Sequence, residues 1–137
     1  MSEQSLVPGF EPGYWDAMRQ TARESLTFSW GWETTNPGTA VIKATIPSYR
    51  VPVGLLWLSS VDDRTLFIEN CYVLECLRRC GVMTRMHAYM LEIYPQIQRV
   101  QTGQSFLDGR EWLRANGYTR KRNGDWVYYR PDRSEAA

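Results

Sequence analysis

A chain of 137 residues is long enough for one domain with one hydrophobic core and short for two. Its residues are 43% hydrophobic and 23% charged, as in soluble globular domains, and no apolar run approaches the ~20 residues that span a bilayer. The net charge of +1 excludes a global basic field that would attract nucleic acid and an acidic field that would attract a basic partner.

The first half of the chain predicts one helix and three strands. Residues 1–12 contain Pro-Gly breakers and form an irregular lead-in, and the helical spacing of apolar residues predicts a helix over about 13–25. After the turn signal TTNPGT, three runs rich in apolar and β-branched residues predict strands. An antiparallel meander connects them most simply, and they span residues 40–46, 53–61 and 65–74.

The second half predicts a helix, a short strand, a further helix and a hairpin. The helix spans about 82–94, with Pro95 at its end, and the strand spans 98–103. The next helix begins near the N-cap Ser105 and ends at Gly117, and Asn123-Gly124 is a strong hairpin signal. Residues 132–137 form a polar tail. The core candidates of these two helices are Val82, Met86, Met90, Ile93, Phe106, Trp112 and Leu113.

The order of these elements predicts an α+β (mixed α/β) fold. About six strands form a central mixed, mostly antiparallel sheet, with about three helices on its faces. Because a helix separates the third and fourth predicted strands, we expect those two strands to be parallel and joined by a right-handed crossover.

Cysteine and histidine usage predicts reduced thiols and no metal site. Cys71, Cys76 and Cys80 are an odd number without a C-x-x-C pair, and no signal-peptide pattern is present, so we expect a cytoplasmic setting. His87 is the single histidine, which argues against zinc. It lies in a helical pattern, and we expect it to be structural or solvent-facing.

The stretch LRRCGVMTRM, residues 77–86, combines the features of an anion-binding loop. Free amides at a helix start and the helix dipole favour an anion, and Gly81 permits close approach of the backbone. Arg78 and Arg79 would add charge-assisted hydrogen bonds, and Thr84 a hydroxyl. The alternative is a pair of solvated arginines before an ordinary helix, and Arg85, one turn further, is expected to be exposed.

The segment VLECLRRCGVM resembles the cofactor-binding segment of the GNAT N-acetyltransferase superfamily. That pattern is a valine closing the central strand, followed by Q/R-x-x-G-x-G/A; here Val73 lies five residues before Arg78, and Arg78 to Gly81 read R-x-x-G. The element order over roughly residues 40–130 also matches. The resemblance implies a single GNAT-like acyltransferase domain over residues 13–131, with a degenerate cofactor motif.

The resemblance further implies acetyl-CoA as co-substrate and direct transfer of its acetyl group to a primary amine on a small molecule or a protein. The pyrophosphate would lie on the amides of about residues 79–84 and the pantetheine along residues 71–74, where two strands splay apart around the acetyl group. The implied cofactor-binding residues are Cys71, Val73, Leu74, Arg78, Arg79, Cys80, Gly81, Val82, Met83 and Thr84.

The chain departs from the family pattern at three positions. Met83 replaces the second glycine or alanine, Leu113 the tyrosine that often protonates the thiolate, and Phe106 an asparagine. The acid could instead be Ser105, Tyr118 or Tyr128, although each also fits a helix cap or a packed aromatic ring.

Glu69 is the candidate general base. By strand alternation it shares a face with Phe67 and Cys71, where its carboxylate could take a proton from the amine. The alternative is a solvent-facing glutamate. Cys71 fits a small buried hydrophobic residue better than a nucleophile.

Two other functions stay open. The departures fit a catalytically silent GNAT-fold interaction module that binds a protein partner. Its binding surface would be formed by exposed tryptophans, for which the candidates are Trp15, Trp30, Trp32 and Trp126. The basic run 120–122 fits a solvated strand edge, and a nucleic-acid contact is the less favoured alternative. Because the lead-in is short, a first edge strand is expected to be missing, which could open the acceptor side or leave it to be completed by a second copy in a homodimer.

Overall fold

The computed structural model describes residues 12–47, 49–103 and 109–131, and within them the chain forms one seven-stranded sheet with three α-helices. The strand order is β1-β2-β3-β4-β5-β7-β6. The elements in chain order are α1 (Pro12–Glu24), β1 (Thr27–Trp32), β2 (Thr39–Thr45), β3 (Gly54–Asp62), β4 (Thr65–Val73), a 3-10 helix (Glu75–Leu77), α2 (Val82–Ile93), β5 (Arg99–Thr102), α3 (Arg110–Ala115), β6 (Tyr118–Arg120) and β7 (Trp126–Tyr129).

The predicted α+β class and the mostly antiparallel mixed sheet are confirmed. Strands β1 to β4 form an antiparallel meander, and β4 pairs in parallel with β5 after the crossover through α2. The predicted hairpin is formed by β6 and β7, with Gly124 at φ 92° in its turn. The bounds of the predicted domain, lead-in and tail stay predictions, and Ser105 and Phe106 lie outside the described residues.

The expectation of a missing first edge strand is wrong. Strand β1 pairs with β2 along its whole length, Thr27 opposite Thr45 and Trp32 opposite Ala40, which raises the strand number from about six to seven. The pattern behind it has a period of two, with Phe28, Trp30 and Trp32 alternating with small polar residues or glycine.

All three helices pack on one face of the sheet, which we call the helix face. A Cβ placed on Gly54 of β3 would lie 2.9 Å from the Val82 side chain of α2, so this helix lies directly on the strands. Helices α1 and α3 join the same core through Met18 and Leu113. None of the helices described in residues 12–131 is long and apolar enough to cross a membrane.

Two arginines cap the carboxyl ends of helices. Arg85, in the first turn of α2, donates to the carbonyl oxygens of Ala22 and Arg23 at the end of α1, at 3.1 and 3.3 Å. The guanidinium also lies 5.9 Å from the centre of the Phe28 ring, so the expectation that Arg85 is exposed is wrong. Arg130 likewise donates to carbonyl oxygens at the end of α2.

The tryptophans expected on the surface divide into two groups. Trp126 is buried beneath the Arg114 guanidinium, 5.6 Å from its ring centre, and Trp15 is half-buried against Tyr14. Only Trp30 and Trp32 of the four are exposed.

Candidate functional site

A β-bulge in β4 displaces Glu69 from the sheet register. Trp57 of β3 faces Asn70, while the next residue, Leu58, faces Ile68, so Glu69 is the extra residue and is exposed to solvent. The bulge reverses the alternation of side chains: Cys71 faces the same side as Ile68, and Phe67 faces the other. The expectation that Glu69 shares one face with both Phe67 and Cys71 is therefore wrong.

Strand β4 leaves β5 at the same bulge. The two strands pair from Thr65 opposite Arg99 to Ile68 opposite Thr102, and among the described residues no pairing with β5 continues beyond that point. Backbone groups on this side of β4 from Glu69 to Val73 therefore have no partner strand among the described residues, and the Cys71 N–H donates to Asn70 Oδ1 at 2.8 Å. The other side of β4 stays paired with β3 as far as Val73 opposite Gly54.

The loop between β4 and α2 is held in an unusual backbone conformation. Arg79 has φ 67° and Gly81 has φ 82°, both in the left-handed region. This conformation costs a non-glycine residue roughly 1 kcal/mol or more, so the strain at Arg79 indicates a geometry imposed by the surrounding structure. Arg78 precedes it with an extended backbone, and both arginine side chains are exposed.

Helix α2 begins without a side-chain cap. Gly81 is the N-cap residue, and the first intrahelical hydrogen bond in the helix runs from the Arg85 N–H to the Gly81 carbonyl. The amides of Val82, Met83 and Thr84 come before it, which leaves them without intrahelical acceptors. The helix dipole and these amides together make this end favourable for an anion.

Helix α3 closes the other side of this site through Trp112. Its indole N–H donates to the Thr84 hydroxyl oxygen at 2.9 Å, which leaves the hydroxyl hydrogen of Thr84 available to another acceptor. Trp112 is a predicted core residue, but its side chain is half-buried and borders the site.

These elements enclose a cleft of about 790 Å³ between the end of β4, the start of α2 and the start of α3. Eight of the ten predicted cofactor-binding residues line it: Cys71, Val73, Arg78, Arg79, Gly81, Val82, Met83 and Thr84. Leu74 and Cys80 do not. Their amides donate to Val53 O at 2.8 Å and to Leu77 O at 3.2 Å, so neither N–H is free to bind a ligand.

The cleft also has lining residues that sequence reasoning did not assign to it: Asn70, Tyr72, Leu77, Gly109, Glu111 and Trp112. Asn70 and Tyr72 face the other side of β4 from Cys71 and Val73, so strand alternation does not assign them to the cleft, and only their position next to these two residues could have identified them. Helix α3 is distant in sequence from the loop, and only its contact with α2 brings Glu111 and Trp112 to the cleft.

Met83 fills part of the cleft floor. The Cys71 thiol donates to the Met83 Sδ at 3.0 Å, so the two sulfurs bridge β4 and α2. Burial raises the pKa of the Cys71 thiol to about 12. At neutral pH it is therefore protonated, which agrees with a packing role and not with a nucleophile.

The candidate acids Tyr118 and Tyr128 are packed against other side chains. Tyr118 is buried, its hydroxyl lies 2.8 Å from Nε2 of His87, and burial raises its pKa further above the usual range. Burial, helped by the Arg130 charge, lowers the pKa of His87 to about 4. Tyr128 lies against the His87 ring, 5.2 Å between ring centres. Tyr118, Tyr128 and His87 are not among the residues that line the cleft, and the third candidate acid, Ser105, lies outside the described residues.

A second cavity, of about 870 Å³, opens at the opposite end of the sheet. Two of its three arginines have other roles: Arg130 caps α2, and Arg99 lies 3.8 Å from the Asp62 carboxylate. It contains none of the predicted site residues. In the part of the chain that the structure describes, no group of three or more His, Cys, Asp or Glu side chains could hold a metal ion.

The architecture is similar to that of known proteins, although the sequence is not. No protein-family model and no curated protein matches the sequence. Among solved structures, the IAA acetyltransferase of Bacillus cereus aligns with a TM-score of 0.64 at 12% identity, over 77% of this chain and 100% of that one.

Two further similar structures contain the coenzyme. The putative N-acetyltransferase YhhK from E. coli, bound to coenzyme A, aligns with a TM-score of 0.60 at 13% identity, over 90% of this chain and 94% of that one. A GNAT family acetyltransferase from Elizabethkingia anophelis with acetyl-CoA bound aligns with a TM-score of 0.59 at 13% identity, over 78% of this chain and 99% of that one. The resemblance predicted from the cofactor-loop segment is thus confirmed at the level of the fold: this chain has the fold of the GNAT acetyltransferases.

Proposed function

We propose that the chain is an acyl-CoA-dependent N-acetyltransferase that moves an acetyl group from acetyl-CoA directly to a primary amine. The observation that carries the proposal is the meeting in one cleft of two backbone segments, although on β4 the Cys71 N–H already donates to Asn70 Oδ1 at 2.8 Å and would have to exchange partners. The unpaired side of β4 lies beside the uncapped start of α2. The coenzyme found in YhhK and in the Elizabethkingia enzyme supports the same ligand here.

The donors in the cleft fit the anionic part of acetyl-CoA. The amides of Val82, Met83 and Thr84, the Thr84 hydroxyl and the exposed guanidinium groups of Arg78 and Arg79 are the groups that bind a pyrophosphate. Space is available at the turn, because a Cβ on Gly81 would meet no atom within 4 Å. The backbone of β4 between Glu69 and Val73 would bind the amides of the pantetheine.

Glu69 is the proposed base. Glu69 lies in the bulge where the β4–β5 pairing ends, exposed to solvent and next to the cleft-lining Asn70, and its carboxylate would accept the amine proton as the new C–N bond forms. The thiolate would leave with the electrons of the C–S bond and take a proton from water, since Leu113, at the position of the family's tyrosine, has no acidic proton to donate. The acceptor is an amine on a small molecule or a protein, and the proposed setting is the cytoplasm.

Calorimetric titration with acetyl-CoA and with CoA tests cofactor binding. We expect binding of both, and a loss of roughly tenfold in affinity when Arg78 and Arg79 are both replaced by alanine, because two charge-assisted phosphate contacts disappear. No binding at millimolar cofactor would refute the proposal.

The role of Glu69 is tested by turnover with an amine panel. Glu69→Gln should lower kcat by about a hundredfold or more and leave the affinity for acetyl-CoA unchanged. The substitution removes the proton acceptor but keeps the size and shape of the side chain. Glu75→Gln, an exposed glutamate in the 3-10 helix, is the matched control. Equal turnover of the two variants would reject Glu69 as the base.

The second candidate function is a catalytically silent interaction module with this fold. The contact of Met83 with Cys71 favours it, because the methionine side chain occupies part of the cleft floor. A protein that binds no CoA but associates stably with a protein partner would support this alternative, whereas acetyl transfer to any amine would exclude it.

A further inference from the structure

The two edges of the sheet differ in length and charge. The β6 edge has three residues, Tyr118–Arg120, and exposed Lys121 and Arg122 follow it. Short, charged edges of this kind resist pairing with another chain. The β1 edge has six residues, reads TFSWGW, and contains no charge and no proline. It therefore lacks the usual protection.

The backbone of β1 is regular and ready to pair. All six residues keep one continuous register with β2, from Thr27 opposite Thr45 to Trp32 opposite Ala40, without a bulge. Among the described residues no strand lies on the other side of β1. Alternate N–H and C=O groups of an edge strand point outward, so this side offers a template for an added antiparallel strand.

Aromatic side chains accompany this edge on the helix face. Phe28 stacks on Tyr89 of α2, with 5.1 Å between ring centres. Trp30 and Trp32 follow in an edge-to-face pair, also 5.1 Å apart, and the Trp30 indole N–H donates to the Tyr94 hydroxyl at 2.7 Å. Trp30 and Trp32 nevertheless stay 39% and 65% exposed, which is a large apolar area beside an open edge.

We propose that β1 is the dimerisation strand of this protein and pairs antiparallel with β1 of a second copy. A two-fold axis perpendicular to the sheet keeps the helix faces of both copies on one side, so each residue must oppose a residue from the same face. The alternation of β1 satisfies this condition. With the axis at Trp30, Phe28 opposes the partner's Trp32, and Ser29 opposes the partner's Gly31.

A second copy fits this edge better than an unrelated chain. In the self-pairing register all large side chains of both strands fall on the helix face, and only small residues meet on the other face. The strand carries no charge, and the chain as a whole carries +1, so two copies do not repel one another. The cofactor cleft stays accessible, because β2 and β3 separate β1 from β4.

Sedimentation equilibrium of the full chain tests the dimer. At about 50 µM we expect the wild-type protein to have twice the chain mass of 16.0 kDa. Trp32→Lys should weaken the dimer by at least about tenfold, because it removes the aromatic contact with the partner's Phe28 at both ends of the paired segment and buries a charge in its place. Val61→Lys is the matched control, since Val61 is 54% exposed and lies in β3; it should stay dimeric.

Hydrogen exchange supplies a second measurement that does not depend on a substitution. Protection of amides within residues 27–32 should increase with protein concentration, while protection within residues 118–120 should not. A monomer at several hundred micromolar, a dimer that Trp32→Lys leaves intact, or protection of β1 that is independent of concentration would each overturn the proposal.

Discussion

The Cys71 thiol lies 3.0 Å from the Met83 sulfur and ties the free end of β4 to the first turn of α2. Both residues line the cleft, so the same contact that stabilises the core also narrows the space available to a ligand. Met83 stands where the cofactor motif of the GNAT family has glycine or alanine. Substitution of Met83 can separate its contribution to stability from its effect on the space for a ligand.

Met83→Ala should open the cleft. We expect acetyl-CoA to bind roughly tenfold more tightly, while the free energy of unfolding falls by about 1–2 kcal/mol because a half-buried side chain is lost. Titration calorimetry and urea unfolding measure the two effects. Met83→Leu keeps the volume and should leave the affinity nearly unchanged. If Met83→Ala binds no better than Met83→Leu, the methionine does not limit binding.

The adjacent arginines of the loop should respond oppositely to glycine. Arg79 has φ 67°, so Arg79→Gly relieves strain and should raise the free energy of unfolding by up to about 1 kcal/mol. Arg78 has φ −62° and ψ 145°, an unstrained conformation, so Arg78→Gly should lower it by about 0.5–1 kcal/mol through chain entropy.

Urea unfolding of both variants measures this difference, and each serves as the other's control because both lose one exposed positive charge. Equal effects of the two substitutions would show that the left-handed conformation of Arg79 stores no strain.

His87 should make stability depend on pH. Burial lowers its pKa to about 4 in the folded protein, whereas an unfolded histidine titrates near 6.5. Between these values the unfolded chain binds the proton and the folded chain does not, so stability falls as pH decreases from about 7 to 4, by up to about 3 kcal/mol.

Urea unfolding at pH 7 and at pH 4.5 measures the His87 effect. His87→Gln does not titrate, and it can still hydrogen-bond the Tyr118 hydroxyl, which lies 2.8 Å from the imidazole in the wild type. Since other groups also titrate, the informative quantity is the difference between the two proteins. Identical losses on acidification would contradict a neutral buried imidazole.

Arg130 should be important for the carboxyl end of α2. Its guanidinium donates to the carbonyl oxygens of Leu91, Tyr94 and Pro95. Arg130→Met keeps the aliphatic stem but leaves these acceptors without their donor, so we expect a loss of about 2–3 kcal/mol. Arg114→Met is the control, because it removes only a cation–π contact with Trp126 and should cost about 1 kcal/mol or less. Chemical unfolding ranks the two.

Local patterns identify most elements of this fold because each pattern reports one periodicity. Val82, Met86 and Met90 lie four residues apart, which brings them to one buried side of α2. Strand β1 is not among the predicted strands, although Phe28, Trp30 and Trp32 alternate with small residues. Its two tryptophans fit an exposed binding surface as well as they fit a strand. The residues themselves do not show whether an aromatic row belongs to a strand or to an irregular segment.

Sequence patterns predict the three helices, every strand except β1, the hairpin at Asn123-Gly124 and the loop between β4 and α2, since these depend on contacts between near neighbours in the chain. Which side chains meet across elements is visible only in the folded structure. The bulge at Glu69 reverses the alternation of β4, Trp112 reaches the cleft from α3, and Met83 meets Cys71 across two elements. A register shift of one residue exchanges the faces of a strand, and no local pattern records it.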